Sequence, residues 1–123
     1  MELLVGLQPT ELHHGDCVGA DADTHRLARE HLTTTRIVVH PPDNPVKRAS
    51  CHGDETRTPA PYLVRNQHIV NTTDRLVALP AGEDQTRSGT WYTVRYAATQ
   101  GRRSTIIWPD GHVEERPSTR STV

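Results

Sequence analysis

The stretch Leu12–Asp21 reads LHHGDCVGAD and places the end of a strand, a glycine loop and the start of a helix next to one another. Backbone amides at a helix start lack acceptors, and the helix dipole is positive there, so such a loop attracts anions. Glycine also lets a phosphate approach the backbone closely. The stretch therefore predicts a phosphate- or nucleotide-binding loop. The alternative is a tight turn in which Asp21 only stabilises the helix start.

Composition restricts the class of protein. The chain has 123 residues, of which 33% are hydrophobic, and a formal net charge of -1. Its length and hydrophobic content predict one globular domain with a small hydrophobic core. The near-neutral charge argues against a dedicated nucleic-acid binder or an anionic-membrane binder. The chain has two cysteines, Cys17 and Cys51, and shows neither a secretory leader nor an apolar run long enough to span a membrane. These features predict a cytoplasmic protein with free thiols.

Hydrophobic periodicity and turn residues divide the chain into alternating strands and helices. The predicted elements are the end of a helix over Met1–Gln8, strands over Glu11–His14, Arg36–His40, Arg75–Leu79 and Ser104–Trp108, and helices over Ala20–Leu32, Tyr62–Thr72 and Ser88–Gln100. A loop over Pro41–Pro61 is long enough to be a lid, a binding loop or disordered. Residues 112–123 are polar and predict a mobile tail after a domain over 1–111.

This order predicts an α/β domain with a mainly parallel sheet and right-handed crossovers. Ligands of such sheets bind at the carboxyl ends of the strands. The loop Gly15–Gly19 and a second helix start, Ser88–Thr90, are both expected at that edge. Arg65 and Asn66 share one helix face, and Arg65 is a candidate planar fork for an anion. Asp16 would repel phosphate unless it bonds a sugar hydroxyl or a backbone amide.

Metal binding and cysteine catalysis have weaker signals. His13-His14, Cys17 and Cys51-His52 lack a zinc spacing such as CxxC or HExxH, and adjacent strand residues point to opposite faces. We therefore expect no metal site. No residue pattern identifies a base for a Cys17 nucleophile.

Four segments together resemble a known family. LHHGDCVGADADTH, PYLVRNQHIV, DRLVALP and SGTWYTVRYA are similar to segments of the SLOG superfamily of Rossmann-like nucleotide-binding proteins. That superfamily includes the DNA-processing protein A core, LOG-type phosphoribohydrolases and small stand-alone phage or mobile-element proteins, and the last group is the most similar. The resemblance covers about residues 12–111. It implies a Rossmann-like three-layer domain, a nucleotide or ADP-ribose-like ligand and a possible homodimer.

The resemblance also implies which residues hold the ligand. They are Gly15, Asp16, Cys17, Gly19 and Asp21 in the first loop, the pair Arg65 and Asn66, and Ser88, Gly89 and Thr90 in the second loop. No other cofactor is expected.

The chain departs from the family pattern in two places. Tyr92 and Thr93 stand where the LOG-type hydrolases have a glutamate. N-glycosidic hydrolysis is therefore the less favoured function. The remaining candidate carboxylates for it are Asp16, Glu83 and Asp84. The central first strand of the family, with its Gly-Thr-Arg or Gly-Ser-Arg turn, is also missing, so the chain is N-terminally truncated relative to the family. Three explanations are open: the protein starts upstream, the remaining strands close the gap, or another chain fills it. The predicted function is sensing or sequestering of a nucleotide-derived ligand. The alternative is a phosphoribohydrolase acting on nucleoside monophosphates.

Overall fold

The computed structural model describes residues 2–82 and 88–117, and these form two compact units. The first unit is Met1–Arg65 and the second is Asn66–Val123. Each unit is described by itself. None of the helices in the described part of the chain is long and apolar enough to cross a membrane.

The first unit is an α/β unit with a parallel sheet. Its elements are α1 (Glu2–Leu7), β1 (Glu11–His14), α2 (Ala20–His31), β2 (Arg36–Val39) and β3 (Glu55–Thr56). The strands pair in the order β1-β2-β3, and both pairings are parallel. Strand β3 lies in the long loop that the sequence predicted without secondary structure. Its two residues are polar and too few to give a strand pattern.

The core of the first unit lies between α2 and the sheet. Ala28 of α2 and Leu32, the C-cap residue of that helix, pack against Ile37 and Val39 of β2, and all four are buried. The spacing of four residues places the two helix side chains on one face, while alternation along β2 turns its side chains to both faces of the sheet. Because Val38 is buried as well, β2 is covered on both sides, as expected for a central parallel strand.

The second unit combines two helices with a mixed sheet. Helix α3 (Tyr62–Asn71) runs across the unit boundary, and it is followed by β4 (Arg75–Ala78), α4 (Gly89–Thr99), β5 (Arg103–Ile107) and β6 (Val113–Arg116). Strands β4 and β5 pair in parallel, and β5 and β6 pair antiparallel. The buried core is Ala78, Trp91, Val94 and Ile106.

Strand β6 lies within residues 112–123, where the sequence predicted a mobile tail. The carboxylate of Glu115 accepts hydrogen bonds from Arg75 at 2.6 Å and from the hydroxyl of Thr105 at 2.8 Å. The guanidinium of Arg116 lies 4.8 Å from the centre of the Trp91 ring. The segment is polar, yet its antiparallel pairing with β5 and these side-chain contacts hold it on the sheet. Residues 118–123 lie outside the described residues.

The sheet also differs from the prediction. The strands pair as two three-stranded sheets, one in each unit, where the sequence predicted one continuous sheet. In each sheet the middle strand, β2 or β5, is already paired on both sides within its own unit. The α/β class and the mainly parallel pairing are confirmed. The two predicted glycine loops follow strands of different sheets.

Candidate functional site

The loop between β1 and α2 is the centre of the candidate site. It starts after His14 at the end of β1 and ends at Gly19, the N-cap residue of α2. Gly19 has φ +97°, a conformation that side-chain-bearing residues rarely adopt. Asp16 also has a positive φ, 53°, which aspartate tolerates better than most residues. The loop thus has the tight geometry that its sequence predicted.

Most of the loop amides are bonded to the protein itself. The amide of Asp16 donates to Nδ1 of His14 at 3.0 Å, and that of Cys17 donates to Oδ2 of Asp21 at 3.2 Å. The amide of Val18 donates to the carbonyl of Lys47 at 3.0 Å. These three amides therefore stabilise the loop.

Asp16 joins this loop to the long loop that precedes α3. Its side chain is fully buried. One carboxylate oxygen accepts from the amide of Cys51 at 2.8 Å and the other from Nε of Arg48 at 3.4 Å. The carbonyl of Asp16 accepts from the amide of Ala49 at 2.7 Å. The carboxylate therefore bonds a backbone amide, which is one of the two arrangements in which it would not repel a phosphate. Its role is structural, because it links the two loops.

Arg65 reaches the same loop from α3. It is only 3% exposed, and its Nη1 donates to the carbonyls of Gly15 and His40 and to Sγ of Cys17. The guanidinium also lies over the ring of Tyr62, 5.2 Å from its centre. The sequence predicts Arg65 as an anion fork for the ligand, and that role stays a prediction. Two of the Arg65 contacts are with backbone carbonyls, which a planar donor fork can bridge.

The start of α2 is the accessible part of the loop. Val18, Gly19 and Ala20 are exposed, and Gly19 has no capping side chain. Within residues 2–82 and 88–117, the amides of Gly19, Ala20 and Asp21 have no hydrogen-bond acceptor. Donors of this kind at the positive end of a helix suit an anionic group. The carboxylates of Asp21 and Asp23 in the first turn add acceptors beside these donors.

The second predicted loop lies in the other unit and is described separately. Ser88 is the N-cap of α4, and its Oγ accepts from the amide of Trp91 at 3.3 Å. Thr93 donates to the carbonyl of Gly89 at 2.8 Å and accepts from Nδ2 of Asn66 at 3.0 Å. Helix capping and helix packing explain these contacts. Glu83 and Asp84 lie outside the described residues.

Comparison of the chain with models of known protein families, with curated proteins and with solved structures found no match. The SLOG resemblance therefore stays a prediction.

The structure adds a group of histidines that sequence analysis did not assign. Nε2 of His14 lies 2.9 Å from Nδ1 of His25. His13 lies between Glu11, at 2.9 Å, and His40, at 2.8 Å. Both cysteines are free thiols. Burial and a hydrogen bond to the Asp16 carboxylate raise the pKa of the Cys51 thiol to about 11, so it is protonated at neutral pH and is a poor nucleophile.

The paired histidines predict acid sensitivity. Burial lowers the pKa of His14 and of His25 below the ordinary 6.5. The unfolded chain then binds these protons more readily, so the free energy of unfolding should fall as pH drops below about 6.5. Urea unfolding between about pH 7 and pH 5 measures this slope.

The variant His14→Asn is the comparison, because its Oδ1 can accept from the Asp16 amide without titrating. We expect a shallower pH slope in that variant. An unchanged slope would show that His14 does not cause the effect.

Proposed function

We propose that the chain binds a nucleotide or a nucleotide-derived ligand such as ADP-ribose, with a phosphate at the start of α2. One observation carries the proposal: among the described residues, the amides of Gly19, Ala20 and Asp21 have no acceptor, and they lie at an exposed helix start without a capping side chain. Amides at a helix start can bond the oxygens of a phosphate. A Rossmann-like three-layer fold, as in the SLOG superfamily, and a cytoplasmic location belong to the same proposal.

The acidic first turn favours a nucleotide over free phosphate. Asp21 and Asp23 would repel a bare anion, but carboxylates accept hydrogen bonds from ribose hydroxyls. A ligand that carries both a phosphate and a sugar satisfies both kinds of group. Phosphate binding by Ser88–Thr90 at the start of α4 stays a prediction from the sequence, and a homodimer remains a proposal from the family resemblance.

Binding is favoured over hydrolysis by the surroundings of Asp16. Of the carboxylates that the sequence predicts for hydrolysis, Asp16, Glu83 and Asp84, the structure describes Asp16. Asp16 is fully buried. One of its carboxylate oxygens accepts a hydrogen bond from the Cys51 amide, and the other accepts one from Arg48. We therefore propose that the chain senses or sequesters its ligand and that Asp16 holds the loop in shape.

Thermal unfolding with a panel of ligands tests this proposal. The panel is AMP, ADP, ATP, NAD and ADP-ribose, with inorganic phosphate as the comparison. A ligand at one hundred times its Kd should stabilise the chain by about 2.7 kcal/mol, a rise in Tm of roughly 10 °C. Inorganic phosphate should raise the Tm less than the best nucleotide.

The variant Ala20→Pro removes one of the three donors at little structural cost, because proline is tolerated in the first position of a helix. Ala20→Ser keeps the amide and is its matched control. We expect the Tm rise to be largely lost in the proline variant and kept in the serine variant. No rise with any nucleotide, or an equal rise in both variants, would refute the proposal.

A further inference from the structure

The side chains of His14, His25 and Cys51 converge inside the first unit. One nitrogen of each histidine and the Cys51 sulfur all lie within 4.8 Å of one another. Each residue comes from a different element: the end of β1, the middle of α2 and the long loop before α3. Because they are 11 and 26 positions apart, no zinc spacing is visible in the sequence.

Two nitrogens and one sulfur are a suitable donor set for a borderline transition metal. Zinc binds histidine nitrogen at about 2.0–2.1 Å and thiolate sulfur at about 2.3 Å, so two nitrogens and one sulfur around it are separated by about 3.3–3.6 Å. Nε2 of His14 and Nδ1 of His25 are 2.9 Å apart, so they need to separate by a few tenths of an ångström. The Cys51 sulfur, which lies within 4.8 Å of both nitrogens, needs to move closer to them.

The local charges also favour a cation. The carboxylates of Asp16 and Asp21 act on both His14 and Cys51 and favour positive charge at this point. The positive charge of Arg65 acts against a cation at His14. Arg29 and His52 act against a cation at His25. Asp16 also holds Cys51 in position, because its carboxylate accepts from the Cys51 amide at 2.8 Å. This contact places the sulfur next to the histidine pair.

We propose that His14, His25 and Cys51 form a three-ligand site for Zn²⁺ or a similar transition metal ion, with a fourth position open to solvent or a ligand. This proposal does not rest on the proposed nucleotide function, although His14 accepts from the Asp16 amide of the same loop. It replaces the expectation of no metal.

Metal binding requires two proton movements. Since the Asp16 amide donates to Nδ1 of His14, the ring proton is on Nε2 and is donated to His25. Coordination by Nε2 moves that proton to Nδ1 and breaks the bond from the Asp16 amide. The Cys51 thiol releases its proton to solvent, so one proton is released for each ion bound. Affinity should consequently fall as the pH is lowered.

Titration of the full chain with Co²⁺, followed by competition with Zn²⁺, tests the site. Cobalt bound to a thiolate gives a charge-transfer band in the near ultraviolet, and tetrahedral cobalt gives visible bands. We expect one ion per chain. Cys51→Ser should abolish the charge-transfer band, and His25→Ala should weaken binding at least about tenfold.

Two control variants match these changes. Cys17→Ser alters the other thiol, and His31→Ala alters an exposed histidine on the same helix as His25. Both should bind cobalt as the wild type does. Circular dichroism of each variant checks folding, and His25→Ala decides the question if Cys51→Ser fails to fold. No charge-transfer band in the wild type, or a band that survives Cys51→Ser, would overturn the proposal.

Discussion

Replacing Gly15 by alanine is expected to lower the free energy of unfolding by about 2–4 kcal/mol. A Cβ at this position would lie 2.6 Å from Cζ of Arg65 and 2.9 Å from Oδ2 of Asp21, and it would overlap Nη1 of Arg65. Gly15 is not among the glycines with positive φ, so its backbone suits alanine. The cost therefore comes from displacing a buried guanidinium, and urea unfolding measures it.

Gly6→Ala is the matched control. A Cβ there meets no atom within 4 Å, and Gly6 lies inside α1. Alanine should leave stability unchanged or raise it by up to about 1 kcal/mol. If Gly15→Ala were no more destabilising than Gly6→Ala, the close approach of Arg65 to this loop would be wrong.

Replacing Arg65 by alanine is expected to cost about 3 kcal/mol or more. The side chain is 3% exposed and donates to the carbonyls of Gly15 and His40. Its removal deletes the donor to two buried carbonyls, a loss of about 1–3 kcal/mol for each, and opens a cavity. Chemical unfolding of the variant measures the loss.

Arg26→Ala is the control for this change. Arg26 is exposed on α2 and pairs with Glu30 at 3.6 Å across one helical turn, so its loss should change stability by less than about 0.5 kcal/mol. The double variant, Gly15→Ala with Arg65→Ala, adds a sharper test. Once the guanidinium is gone, the new methyl group has room, so the two costs should fall short of additivity by about 1–3 kcal/mol. Simple additivity would contradict the contact.

The burial of Arg65 bears on how ligand binding should be tested. Because an Arg65 variant should lose stability, a lost thermal shift in it would not distinguish ligand contact from loop collapse. Variants at Ala20, which is exposed at the start of α2, separate the two effects.

Elements with a strong local pattern were predictable from the sequence. The apolar run at Ile37–Val39 and the turn residues around it placed β2 within one residue, and helix periodicity did the same for α2 and α4. Strands β3 and β6 were missed because they are short and polar. Glu115 joins its sheet through Arg75, forty positions earlier, and local propensity contains no such information. Strand pairing is non-local too, which is why two sheets appear where one was predicted.

The candidate site was only partly predictable for the same reason. The glycine loop and the position of Arg65 beside it followed from the sequence. The roles of Asp16 and His25 did not, because Asp16 bonds a residue 35 positions away and His25 approaches His14 only through packing. Glycine patterns indicate where the backbone can turn tightly. They do not show which amides the protein itself will use.

Native mass spectrometry of the full chain tests the proposed binding function most directly. The protein is purified from cells and measured before and after addition of nucleotides and ADP-ribose. The proposal predicts a second species heavier than the chain by the mass of one nucleotide-derived ligand, with its fraction reduced in Ala20→Pro and retained in Ala20→Ser. Spectra that show only the bare chain or its metal adducts, at every ligand concentration, would contradict it.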